Sequence, residues 1–123
     1  MWQIQHKIEM INISERNSGK VVVLDLTGKL TGSEHYSELS KKVEDLLERG
    51  DILFVFNMRD ISNADSTGIG ELIVCLKRVR ERGGDIKIAN PSQKLESLLR
   101  ITNLQKIFDI YSNEQAALRS FGH

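Results

Sequence analysis

Five apolar residues in a row, Ile52-Leu53-Phe54-Val55-Phe56, set the terms for this chain. Side chains on a strand alternate between two faces, so a strand that is apolar at every position needs cover on both, as central strands of α/β sheets do. The run is far short of the roughly 20 apolar residues of a membrane-spanning helix. It therefore predicts the middle of a sheet with packed layers on either side.

Around this run the apolar period switches repeatedly between two and three-to-four. Residues 4 to 13 alternate imperfectly, Ile4 and Ile8 giving way to Ile11 and Ile13, which predicts an edge strand with an irregularity. Val21-Val22-Val23-Leu24 with Leu26 predicts a second strand, ended by Thr27-Gly28. Leu39, Val43, Leu46 and Leu47 form a helical stripe, with Thr31-x-x-Glu34 as its capping box and Gly50 as its stop.

After the central run, Ile69, Leu72, Ile73, Leu76 and Val79 predict a helix over about Thr67 to Arg82, followed by a short strand Asp85 to Ala89. Pro91-Ser92 opens a third helix with Leu95, Leu98 and Leu99 inward, Ile107 to Tyr111 forms a last strand, and Ser112-x-x-Gln115 caps a final helix. The order β-β-α-β-α-β-α-β-α calls for an α/β fold: one domain over residues 1–123, with a mixed, mostly parallel sheet of about five strands and about four helices. The first two strands leave room for antiparallel pairing.

Charge narrows the partners. With 17 basic and 17 acidic side chains the chain has zero formal charge, so it has no excess field to gather nucleic acid or an anionic membrane. Cys75 is the only cysteine, which excludes an internal disulfide and a thiolate zinc cluster and suits a reducing cytoplasm. The start Met1-Trp2-Gln3-Ile4 lacks the pattern of a secretory leader.

Catalytic signatures are missing. His6, His35 and His123 share no ligand spacing with one another or with a carboxylate, so they read as ordinary surface or packed histidines and no metal site is expected. Neither phosphate-binding glycine loop nor Gly-x-Ser-x-Gly occurs. Cys75 falls beside the apolar stripe of its helix and reads as a small buried hydrophobe.

What remains is the polar segment Asn57 to Gly70, read as a loop from the carboxyl end of the central strand into the second helix, where α/β sheets usually meet ligands and partners. Its focal residue is Ser66. Asp65 or Ser66 as a simple helix cap, worth about 1 kcal/mol, accounts for one polar residue. It leaves Gly68 and Gly70, each costing about 1 kcal/mol relative to alanine in a helix, without a reason. Small residues there would open the approach to the Ser66 hydroxyl, and a helix N-terminus accommodates a phosphate. Val74 points away from the apolar stripe with Gly70, Lys77 and Arg78. Exposed valines are common on any surface, so its partner contact is an expectation from position alone.

The stretch Phe54 to Gly70, ending Asp65-Ser66-Thr67-Gly68-Ile69-Gly70, resembles the signature of STAS domains, in particular the bacterial anti-sigma factor antagonists. Leu26-Thr27-Gly28-Lys29-Leu30-Thr31, Leu95 with Leu98-Leu99, and the ending from Ile107-Phe108 to Leu118 extend the likeness over nearly the whole chain. The resemblance implies a non-enzymatic partner switch. The unphosphorylated chain would bind an anti-sigma factor and free a sigma factor. The anti-sigma factor would itself be a serine kinase that supplies ATP and magnesium and phosphorylates Ser66, with Thr67 as a secondary acceptor, and a serine phosphatase would reverse the mark. Asp65, Ser66, Thr67, Gly68, Gly70 and Val74 would form the partner surface, with no cofactor, metal, nucleic acid or membrane, in the cytoplasm. The alternative is a STAS subunit of a stress-sensing assembly or a membrane transporter. Asn57, Thr31 and Asn63-Ala64 depart from the family's usual residues around the acceptor, where partner choice would be made.

Overall fold

A computed structural model describes residues 11–31 and 38–122. The elements are β1 (Asn12–Ser18), β2 (Val21–Leu30), α1 (Glu38–Arg49), β3 (Leu53–Ala64), α2 (Ser66–Glu81), β4 (Asp85–Ala89), α3 (Gln93–Ile101), β5 (Asp109–Tyr111) and α4 (Glu114–Arg119). The five strands lie in sequential order, with β1 antiparallel to β2 and every other neighbouring pair parallel. β3 is the central strand, as its apolar run requires.

Alternation decides what each face holds. Val22, Leu24, Phe54, Phe56, Ile86 and Ile88 point into the larger core, which the stripes of α1, α2 and α3 cover with Leu39, Val43, Leu46, Leu72, Leu76, Leu95 and Leu99. Val21, Val23, Val55 and Ala89 point to the other face, where Ala117 and Leu118 of α4 cover them. The α4 side is tied down by a fork from Arg16 of β1, which reaches Asp25 of β2 at 2.5 and 2.9 Å and Glu114 of α4 at 2.6 and 3.2 Å. That guanidinium holds the Asp25 carboxyl below the usual carboxylate range.

Several boundaries differ from the sequence reading. The first strand of the described residues is Asn12–Ser18 rather than 4–13; residues 4–10 of that expectation lie outside the described residues. Its pairing with β2 is regular and closes through a two-residue turn at Gly19, φ 61, with Ser18 opposite Val21. The expected irregularity lies instead between β2 and β3, where the register shifts at Asp25/Thr27 and at Gly28/Lys29. β2 does not stop at Thr27-Gly28: Gly28, at φ 114, takes up the distortion and the strand continues to Leu30.

The final elements shift similarly. β5 keeps only three residues, because Leu104–Lys106 forms a 3₁₀ turn and the chain bends before Asp109. The cap of α4 is Asn113, whose side chain accepts from Ala116 N, rather than Ser112. Ser92 caps α3 as the sequence predicts, accepting from Leu95 N at 3.2 Å. Glu34 of the expected capping box, and all three histidines, lie outside the described residues.

Candidate functional site

The stretch read as a loop is mostly strand. β3 pairs with β4 only as far as Asn57 opposite Ala89, yet it continues to Ala64 with β2 beside it, Leu30 lying opposite Ala64. The polarity of residues 57–64 marks a two-stranded ribbon projecting past the rest of the sheet, with Arg59, Asp60, Ser62 and Asn63 exposed and only Met58 and Ile61 buried.

Asp65 turns the ribbon into α2. Its backbone is extended, its N–H donates to Leu30 O at 3.2 Å, its carbonyl accepts from Ile69 N at 2.9 Å, and its Oδ1 accepts from Gly68 N at 2.8 Å. Three bonds thus fix the residue just before Ser66: the carbonyl accepts the first intrahelical bond, and the side chain accepts from one of the helix's otherwise free N–H donors, that of Gly68. Ser66 becomes the first residue of α2, one position earlier than the periodicity suggests, and both Ser66 and Thr67 are exposed.

The two glycines have different causes. Gly68 is buried, and a Cβ there would lie 1.9 Å from Leu30 O and 2.5 Å from its carbonyl carbon. It is glycine because the helix start packs directly on the backbone of β2, so it opens no approach to Ser66. At Gly70 an added Cβ would meet no atom within 4 Å. Here packing asks for nothing, and the open space lies on the outward side. Val74, 40% exposed, and exposed Lys77 continue that side along the helix. The structure therefore brings Ser66, Thr67, Gly70 and Val74 to one accessible strip, with exposed Asp65 at its start as the cap, and leaves buried Gly68 as the residue on which the helix start packs.

Behind the strip, α1 and α2 are joined through Ser40, whose hydroxyl donates to Glu71 and lies 3.8 Å from the Cys75 sulfur, and through an ion pair of Arg78 with Glu44. Cys75 is buried, and burial pushes its thiol up to about 11, so it is a packing residue and no nucleophile. No group of three or more His, Cys, Asp or Glu side chains among the described residues could hold a metal. No helix among them is long and apolar enough to cross a membrane.

Sequence reasoning missed the groove beside the strip, between residues 61–64 of β3 and α3. The only signal for it was Leu98 and Ile101 at helical spacing, and Leu98, placed inward with Leu95 and Leu99, is only half-buried.

A family model for the STAS domain matches residues 11–117. The chain belongs to the STAS family. Its kinship runs to the anti-sigma factor antagonists: it is 30% identical over 111 residues to the anti-sigma-B factor antagonist of Bacillus subtilis strain 168, covering 89% of this chain and 98% of that one. A Thermotoga maritima protein named as a candidate anti-sigma factor antagonist superposes with a TM-score of 0.82 at 26% identity, over 90% of this chain and 95% of that one. The STAS fold is shared with the Bacillus anti-sigma factor antagonist SpoIIAA, solved unphosphorylated (TM-score 0.73, 20% identity, 91% and 98% of the chains) and phosphorylated (0.67, 18%, 89% and 99%).

Proposed function

We propose that this STAS protein works as an anti-sigma factor antagonist through a phosphorylation-gated partner switch at Ser66. The observation that carries the reading is the exposed Ser66 hydroxyl at the first position of α2, held at the tip of the β2–β3 ribbon by Asp65 and flanked outward by the unfilled space at Gly70. A hydroxyl presented there can enter another protein's active site without the helix unfolding. The kinase, which is the anti-sigma factor, brings the ATP and magnesium; this chain supplies only the acceptor and the docking strip, and performs no chemistry of its own. A serine phosphatase resets it, and the exchange takes place in the cytoplasm.

Phosphorylation adds about −1.5 to −2 charges one residue from Asp65. At a surface that must lose water to dock, that dianion brings like-charge repulsion and a desolvation cost, so the modified chain lets go of the anti-sigma factor. On a chain of zero formal charge the local change is large. The relatedness to the Bacillus subtilis anti-sigma-B factor antagonist supports the partner class, and a protein of this fold known in both phosphorylation states supports the gate.

The test is incubation with each anti-sigma factor of the source organism and ATP, followed by mass spectrometric location of the phosphate. It is expected on Ser66, with Thr67 minor; phosphate elsewhere overturns the assignment. Ser66→Ala is expected to keep binding and Ser66→Asp to bind at least tenfold more weakly. Equal affinity of the two would show that charge at this position is not the signal.

A further inference from the structure

The groove beside the acceptor encloses about 230 Å³. Ile61 and Ala64 of β3 line one side, Leu95, Leu98 and Ile101 of α3 the other, and exposed Lys94 is also among the lining residues. Four consecutive β3 residues, 61–64, line it, and successive strand residues face opposite ways. The groove is therefore bounded by the strand's edge, which among the described residues has no strand beside it because β4 ends its pairing at Ala89. Ile101 is 77% exposed, the most exposed large apolar side chain among the described residues, and it adds nothing to a core already closed by Leu95 and Leu99.

Size selects the occupant. Drug-sized ligands occupy roughly 300–1,000 Å³, so this space is too small for a typical cofactor. It suits one or two large side chains, the form in which protein interfaces place their anchors: an apolar pocket inside a polar rim. The lining residues carry a single charge, that of Lys94, which is exposed and makes no ion pair among the described residues. Position selects the partner. Ala64, in the groove, is separated from Ser66 by Asp65 alone, and Asp65 is hydrogen-bonded to Leu30 and Gly68, so the groove ends one residue from the acceptor across a fixed turn.

We propose that the groove is the second contact for the protein that docks at Ser66: it receives an apolar side chain of the anti-sigma factor, with a neighbouring carboxylate of that partner meeting Lys94. This rests on the partner-switching reading above. The acceptor end then supplies the switch, and the groove supplies affinity and partner choice through the shape of one anchor.

Each anti-sigma factor of the source organism, purified singly, is titrated calorimetrically with the full-length unmodified chain and its variants. Ile101→Glu is expected to weaken binding about tenfold or more, and Lys94→Glu about threefold with a flatter dependence on salt. Both residues are exposed, so both variants are expected to keep the parent melting temperature. Binding of both variants within twofold of the parent, while Ser66→Asp still binds at least tenfold more weakly, overturns the groove assignment and leaves the switch standing. No binding of the parent chain to any anti-sigma factor overturns both. A parent chain that sediments as a dimer, dissociated by Ile101→Glu, puts a second copy in the groove and overturns the assignment.

Discussion

Gly68 and Gly70 stand two residues apart in α2, look interchangeable in sequence, and answer to opposite demands. The inner side of the helix start is crowded: Gly68 lies against the Leu30 carbonyl, and Asp65 closes the turn. The outer side is empty around Gly70 and solvent-facing at Ser66 and Val74. One side fixes the position of the acceptor and the other leaves it reachable. A glycine inside a helix is therefore informative only once its neighbours are known, since the same loss of propensity serves packing in one place and access in another.

The sharpest way to break this contrast is Gly68→Ala. A Cβ 1.9 Å from a backbone oxygen forces the helix start off β2, with an expected loss of about 3 kcal/mol and a fall of about 10 °C in melting temperature. An unchanged melt would mean that the close approach is not maintained in solution. Asp65→Ala comes next, at about 1 kcal/mol from loss of the cap to Gly68 N, read by chemical denaturation.

Gly70→Ala has the opposite sign. With open space at the site, the better helix former is expected to raise stability by about 0.5–1 kcal/mol while reducing phosphorylation at Ser66. A variant that is both more stable and fully phosphorylated would show that Gly70 is not there for access. The smallest effect lies away from α2, at the Arg16 fork. The Asp25 carboxyl is depressed in the folded chain, so its contribution is complete above the unfolded value near 4 and is lost as the pH falls below it. Solvent screening keeps this to less than about 1 kcal/mol, and Arg16→Gln is expected to flatten the acid limb of the stability curve by that amount.

The layers of the fold were legible because the sequence writes them as apolar period. The run Ile52 to Phe56 placed β3 at the centre, the stripes of α1 and α2 gave their inward faces, and Asp65 with Ser66 marked where a helix begins. The ribbon was not legible. Residues 57–64 are polar because they project, and a strand with little core to meet has no alternation to show, so it reads as a loop. β1 was hidden for the same reason, although Gly19 in its two-residue turn was available as a signal. The groove beside α3 needed two segments, residues 61–64 and 92–101, that are distant in the chain to be brought together, which no local pattern reports.

By itself, then, the sequence determined the layers, the central strand and the identity of the exposed hydroxyl, because burial pattern and capping chemistry act over a few residues. Only the tertiary structure decided that Gly68 is held by packing and Gly70 is not. It alone also carried the acceptor to the tip of a ribbon beside an apolar groove, since those facts depend on how closely backbones distant in the chain approach one another.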